Sequence, residues 1–213
     1  MKTSIKTLFA TALTLVVLTG SAFASTDVKS NNVTVLNQVK NINKIEVNGN
    51  VEVILVQAAT ESVKVYDSYY SKNALVQEKN GVLRISSFQK EKLTVAVYVR
   101  ELSSIDAADN ASVKTFGKVG FVALTINLKD QATANINANT ISLTTSVKDN
   151  AVLKLSGTTT DHYAVLGSQA KMSMEQFAAE NTSVKTIAPV YAKVTTVKAP
   201  TLESIIAASE LAK

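Results

Sequence analysis

A repeat with a period of about 20 residues, in which apolar and polar side chains alternate, runs from Leu102 to about Val194, with one further copy after it. Apolar residues occupy most of the positions that lie two and four places to either side of each centre, as Ile105, Ala107, Ala111 and Val113 do around Asp109. The centres of the copies are Asp109, Asp130, Asp149, Ser168, Ala188 and Ser209. Such alternation is typical of strands, and a repeat of this length is typical of stacked β architectures. The repeat therefore predicts an all-β chain, folded as a right-handed parallel β-helix or a related solenoid.

The segment that precedes the repeat is also rich in strand signals. Four alternating apolar residues flank Gly49-Asn50, which forms either a tight hairpin turn or a corner in a longer strand: Ile45, Val47, Val51 and Val53. Asn80-Gly81 predicts a hairpin turn between strands near 75–78 and 82–86. We therefore expect a strand-rich N-terminal portion. At the other end, residues 200–213 form either a last strand of the repeat, which we favour because 202–209 echoes 102–109, or a helix capped by Thr201.

Residues 1–24 have the features of a secretory signal peptide. Lys2 and Lys6 form the positive end, residues 8–18 are apolar, and Ala22-Phe23-Ala24 supplies the cleavage pattern. The apolar run is too short to span a bilayer comfortably, so no membrane anchor is expected after cleavage. We expect a polar leader and first strand over 25–41 and a single solenoid domain over 42–213.

Composition excludes several kinds of chemistry. The chain has no cysteine, which excludes disulfides, thiolate metal sites and a cysteine nucleophile. Its formal charge of +5 comes mainly from lysine, and the only arginines are Arg84 and Arg100. Because nucleic-acid readout depends on arginine clusters and stacking aromatics, no nucleic-acid partner is expected. His162 is the only histidine, and we expect it in a loop or at a strand edge with no catalytic role.

Acidic and amide residues recur at the turns of the repeat. If the copies stack in register, the aspartates lie about 4.8 Å apart, and the amides form a parallel column beside them. Such side chains close turns onto their own backbone and hydrogen-bond along a stack, so we expect a structural role. We call these residues the turn column: Asp109, Asn110, Asp130, Gln131, Asp149 and Asn150.

The stacked carboxylates of the turn column repel each other by about 1 kcal/mol at that spacing, even in water. Lys129 and Lys148, each directly before an aspartate, would relieve this repulsion, and so would a calcium ion. We expect no metal, no cofactor and no catalytic residue. The sequence feature most suited to ligand binding is Tyr69 and Tyr70, whose aromatic faces and polar tips suit a glycan or a protein.

Several stretches resemble the GIN domain, the family named as putative autotransporter adhesin heads in exported proteins of Bacteroidetes-type bacteria. They are residues 42–47 (INKIEV), 51–57 (VEVILVQ), 80–85 (NGVLRI) and 102–105 (LSSI), followed by repeated short turns. The family usually has glycine and serine at those turns, where this chain has the turn column. The resemblance covers most of 42–197 and implies a β-solenoid-like fold on an exported protein, with no catalytic residues.

These features together predict a non-enzymatic exported protein, in the periplasm or on the outer cell surface, that acts as an adhesin or surface-binding head. Its expected partner is a glycan or a protein on a cell or matrix surface, because flat strand ladders suit large partners better than small ligands. Two alternatives stay open: a periplasmic envelope protein of structural function without an external ligand, and a polysaccharide-degrading β-helix enzyme. The oligomeric state also stays open.

Overall fold

The computed structural model describes residues 33–36, 39–66 and 74–187, all of which belong to one compact unit. The prediction of an all-β chain with a strand-rich N-terminal portion is confirmed, because these ranges contain thirteen strands and no helix. The strands are β1 Val33–Leu36, β2 Lys44–Gly49, β3 Val51–Gln57, β4 Ser62–Tyr66, β5 Ala74–Lys79, β6 Val82–Ser87, β7 Leu93–Val99, β8 Ser104–Ala107, β9 Ser112–Thr115, β10 Val119–Leu128, β11 Thr133–Val147, β12 Val152–Gly167 and β13 Lys171–Ile187.

Several predicted features lie outside the described residues. They are the signal peptide at 1–24, the tyrosines Tyr69 and Tyr70, the repeat copies centred on Ala188 and Ser209, and the C-terminal strand or helix. The described part of the chain has no helix long and apolar enough to cross a bilayer.

The strands form one mixed sheet with nine parallel and three antiparallel pairs. We call each run of neighbouring parallel strands within the sheet a ladder. The first ladder consists of β6, β2, β8 and β10 and continues through the C-terminal halves of β11, β12 and β13. A second ladder joins β7, β3 and β9 in parallel and continues through the N-terminal halves of the same three strands. Antiparallel strands flank both ladders, with β5 beside β6, and β4 and then β1 beside β7.

The pairing register follows the spacing of the sequence repeat. Ile126 pairs with Ile105, Val147 pairs with Leu128, and Leu166 pairs with Val147. Each of these pairs is separated along the chain by the same step as the corresponding pair of repeat centres, from Asp109 to Asp130, Asp149 and Ser168. Equivalent apolar residues of successive copies therefore lie side by side on neighbouring strands.

Side chains from both ladders meet in a single hydrophobic core. Each such side chain stabilises the fold by about 1.5–3 kcal/mol relative to an exposed one. The largest of the fully buried side chains include Ile45, Leu83, Ile105 and Ile126 from the first ladder and Leu55 and Leu153 from the second.

The two predicted turns of the N-terminal portion differ in kind. Gly49-Asn50 is a corner, because β2 pairs with β6 and β8, whereas β3 pairs with β7 and β9. The hairpin at Asn80-Gly81 is confirmed, since β5 and β6 pair antiparallel across it. Both of its turn residues have positive φ, 55° for Asn80 and 79° for Gly81, as a tight hairpin turn requires.

Candidate functional site

The turn column lies where the chain passes from the first ladder to the second. Each of its turns closes with a backbone hydrogen bond; in the first, the Ala111 N–H donates to the Ala108 carbonyl oxygen at 3.2 Å. Asp109, Asp130 and Asp149 have φ of 57°, 59° and 53°. This left-handed region is unfavourable for most residues, but Asp and Asn adopt it more readily because their short side chains hydrogen-bond locally. The backbone conformation therefore explains why aspartate recurs there.

The three carboxylates connect successive turns. The Gly49 N–H donates to Asp109 Oδ2 at 3.0 Å, and the Asp109 N–H donates to Asp130 Oδ2 at 3.2 Å. The Asp130 N–H in turn donates to Asp149 Oδ2 at 3.1 Å. A backbone donor bonded to a carboxylate stabilises the negative charge. The turn column is thus linked by bonds between side chain and backbone that run from each turn to the next.

The lysines that precede the aspartates do not form ion pairs with the carboxylates of the turn column. Among the described residues, Lys129 and Lys148 form no ion pair, and the side chains of Asn110, Gln131 and Asn150 form no hydrogen bond. Backbone N–H groups therefore compensate the carboxylates, and the ammonium groups stay available. Within the same ranges, no group of three or more His, Cys, Asp or Glu side chains is arranged to hold a metal ion.

A network of ion pairs covers part of the outer surface of the first ladder. Glu46 accepts from Arg84 Nε at 2.8 Å and from Lys44 Nζ at 3.0 Å. Lys44 Nζ also lies 2.6 Å from Asp106 Oδ2, and Asn127 Nδ2 donates to Asp106 Oδ1 at 2.7 Å. Hydrogen bonds to Asp106 and Glu46 raise the pKa of Lys44 above its ordinary value. Both acids are therefore neutralised within the fold.

A groove of about 360 Å³ lies between this network and the turn column. Its acids are already paired, whereas its two lysines are not, so its uncompensated charge is positive. We call it the lysine groove; the polar side chains that line it include Glu46, Asp106, Asn127, Lys129, Ser146 and Lys148.

A second cleft, of about 630 Å³, opens beside the first turn of the turn column. The Phe88 side chain, 76% exposed, lies on the loop between β6 and β7 that lines it. Asn50 Nδ2 fixes this loop by donating to the carbonyl oxygens of Gln89 at 3.2 Å and Lys90 at 2.9 Å. We call this the Phe88 cleft; the side chains that define it are Asn50, Phe88, Lys90, Lys92, Asp109 and Asn110.

Sequence reasoning identified the turn column but neither of the two openings beside it. For Phe88 a signal existed, since it is a large apolar residue directly before the polar run Gln89-Lys90-Glu91-Lys92. For Lys129 and Lys148 the position in the repeat was evident, but not the absence of an acidic partner among the described residues. The proposed ligand-binding residues Tyr69 and Tyr70 stay a prediction, because they lie outside the described residues.

His162 is a core residue, which corrects the expectation of a loop or strand-edge position. It lies in β12, is only 2% exposed, and its Nε2 lies 3.1 Å from Thr145 Oγ1. Its ring meets the Phe177 ring edge-on, with 5.4 Å between centroids. Asp161, the preceding residue, is exposed and accepts from Asn181 Nδ2 at 3.0 Å. The two side chains thus point to opposite faces of the strand and form no catalytic pair.

Burial of His162 should make the protein less stable in mild acid. Burial lowers the pKa of His162, so the folded chain keeps the ring neutral where the unfolded chain, with a pKa of about 6.5, binds a proton. The stability that depends on the neutral ring is fully present above about pH 6.5. It is lost as the pH falls towards the folded pKa, by at most about 1.4 kcal/mol per pH unit. Urea denaturation of the wild type and of His162→Leu at about pH 7.5 and about pH 5.5 measures it.

The two proteins differ only at residue 162, so the difference between their losses of stability from the higher to the lower pH gives the effect of His162 alone. His162→Leu should lose less stability between the two pH values than the wild type loses. An equal loss in both proteins would show that the ring accepts a proton without cost in the folded state.

The fold and these two openings define an all-β protein with open, polar sites on its surface. A sequence model of the family described as "Putative auto-transporter adhesin, head GIN domain" matches residues 41–210. The chain belongs to this family. No curated protein matches the chain.

Solved structures support the fold. A putative adhesin from Parabacteroides distasonis has a TM-score of 0.57 and 15% identity, with 73% of this chain and 78% of that chain covered. A putative lipid binding protein from the same species has a TM-score of 0.56 and 11% identity, with 72% and 77% covered. At such identities the likeness shows the fold alone.

Proposed function

We propose that this chain is an exported, non-enzymatic binding head that attaches to a glycan or a protein on a cell or matrix surface. Membership of the adhesin-head family across residues 41–210 is the observation that carries the proposal. The signal-peptide features of residues 1–24 support export, to the periplasm or the outer surface, without a membrane anchor after cleavage.

We further infer that the architecture is a right-handed parallel β-solenoid. The two parallel ladders support it, and so does a register in which each strand pairs with the equivalent strand of the preceding repeat copy. In a solenoid each copy contacts only its neighbours, and the stack presents a long outer surface to a large partner. The turn column then has a structural role, as the edge at which successive copies are linked.

The chemistry of the described surface favours a polar ligand. Polar and charged side chains provide most of the lining of the lysine groove and the Phe88 cleft, and both are open to solvent. One structural relative is described as a putative lipid binding protein, but these two linings suit hydroxyl, amide and anionic groups better than an acyl chain. Tyr69 and Tyr70, whose aromatic faces and polar tips suit a glycan or a protein, stay proposed ligand-binding residues.

Protease treatment of intact cells tests export and surface exposure. With an antibody against the mature protein, we expect digestion while a periplasmic control protein survives. A chain that lacks residues 1–24 should stay protected in the same cells, because it lacks the export signal. Protection of the full chain until the outer membrane is opened would contradict the surface-binding role and would favour a periplasmic envelope protein.

A further inference from the structure

We propose that the Phe88 cleft binds an anionic glycan, with one sugar ring stacked on Phe88 and its acidic group held by Lys90 and Lys92. This inference rests on the proposed function and names the ligand class and the residues that would bind it.

The first support is the exposure of Phe88 on a fixed loop. An aromatic side chain that is 76% exposed forgoes most of the stabilisation that its burial would bring. The loop is nevertheless ordered around it, because the Asn50 side chain bonds two loop carbonyls. The backbone of Asn50 adds a bond to Ser87 O at 2.6 Å and one from Leu93 N–H at 3.0 Å.

The absence of a side chain at Gly49 leaves room for the Phe88 ring. A Cβ atom built at Gly49 would lie 3.2 Å from Phe88 Cδ1, closer than side-chain atoms normally approach. One face of an exposed aromatic ring is the surface on which the apolar face of a pyranose ring stacks. Since the loop that carries the ring is already positioned, little ordering entropy of the backbone is lost when a ligand binds.

The second support is the hydrogen-bonding capacity beside the ring. Asp109 uses Oδ2 for the Gly49 N–H, and within the described residues its Oδ1 has no partner. The Asn110 amide beside it is likewise without a bond in those ranges. A carboxylate oxygen accepts from sugar hydroxyls, and an amide both donates and accepts, so the pair suits a polyhydroxylated ligand.

The third support is charge. Among the described residues neither Lys90 nor Lys92 forms an ion pair, so the cleft holds two uncompensated ammonium groups against one carboxylate. Lys129 and Lys148 of the lysine groove are two further lysines without an ion-pair partner among the described residues. This balance favours a ligand that carries carboxylate or sulfate groups. The cleft volume of about 630 Å³ lies within the range of small-molecule sites.

Affinity electrophoresis of the mature secreted protein tests the proposal. We expect a gel that contains polygalacturonate to retard the wild type, and one that contains dextran, a neutral glycan, not to retard it. Phe88→Ala should weaken retardation at least about tenfold because stacking is lost, whereas Phe88→Trp should retain it. Lys90→Gln combined with Lys92→Gln should weaken it and flatten its salt dependence.

Two matched controls use residues on other parts of the surface. Phe116 is 73% exposed on a different loop, so Phe116→Ala removes an equally exposed ring and should leave retardation unchanged. Lys154→Gln with Lys171→Gln removes the same charge from the second ladder and should have little effect.

The proposal is overturned if polygalacturonate does not retard the wild type, or if Phe88→Ala behaves like Phe116→Ala. It is also overturned if dextran retards the protein equally. Protease protection of the chain in intact cells would instead remove the surface-binding role and leave the electrophoresis result standing, so the two failures are distinguishable.

Discussion

Replacing Gly157 with alanine is expected to lower the free energy of unfolding by about 3 kcal/mol or more. Gly157 pairs with Ala138 on the neighbouring strand and has a φ of 102°. A Cβ atom there would lie 2.1 Å from the Ala138 carbonyl oxygen and 2.8 Å from its carbonyl carbon. Both are backbone atoms that cannot rotate away, so β11 and β12 would have to separate. Urea denaturation of the wild type and the variant measures the loss.

Substitutions at two other glycines separate the cost of the steric clash from the cost of placing alanine at a positive φ. Gly117 has a φ of 77° but no atom within 4 Å of its Cβ position, so Gly117→Ala should cost only about 1 kcal/mol. Gly120 has no positive φ and only the Gln57 side chain nearby, so Gly120→Ala should be nearly neutral. If Gly157→Ala cost no more than Gly117→Ala, the two strands would be able to move apart freely at this point.

The pairing register was the most predictable part of the fold. Alternation places Ile105, Ala107, Ala111 and Val113 on one face, and a step of about 20 residues brings each beside its equivalent on the next strand. The structure pairs them so because a slip of one residue would turn every apolar side chain to solvent. In this chain the alternation of apolar residues along each strand and the register between neighbouring strands therefore predict the same pairing.

The strands that do not follow this step were not predictable in the same way. The antiparallel position of β4 between β7 and β1 depends on the path of the chain between these strands. Gly157 also lies inside one long strand, where its close approach to Ala138 has no counterpart in the alternation. Such features depend on distances between backbones and not on the local sequence.

His162 could have been placed correctly from the repeat. Ala164 and Leu166 were assigned to the apolar face, and residues at intervals of two on a strand share a face, so His162 belongs to that face as well. The hydroxyl of Thr145, on the neighbouring strand β11, lies within hydrogen-bond distance of Nε2, whereas Nδ1 has no partner among the described residues. A single sequence does not reveal this arrangement.

The position of the turn column was predictable, but its bonding was not. The repeat fixes which residues occupy the turns, whereas the direction of each carboxylate depends on φ and on the exposed N–H of the turn before it. The Phe88 cleft depends on the loop between β6 and β7, whose shape is set by the Asn50 side chain from another strand connection. Loop geometry of this kind arises only after the ladders have formed.

Asp130→Ala is expected to destabilise the protein by about 3 kcal/mol. Asp130 Oδ2 accepts the Asp109 N–H at 3.2 Å, and a hydrogen bond to a charged group contributes about 1.5–3 kcal/mol. Alanine also adopts the φ of 59° found at this position less readily than aspartate does, at a cost of about 1 kcal/mol. Urea denaturation of the wild type and the variant measures the combined effect.

Two further substitutions at the same position separate these contributions. Asp130→Gly removes the acceptor but relieves the backbone, so it should cost less than Asp130→Ala by about 1 kcal/mol. Asp130→Asn keeps a side-chain oxygen and tolerance of positive φ, and should therefore cost the least of the three. Equal losses for alanine and asparagine would contradict the proposed role of the turn-column carboxylates, because the acceptor oxygen would then contribute nothing. The expected order, with asparagine least and alanine most harmful, would mean that each turn is stabilised by the side chain of the next.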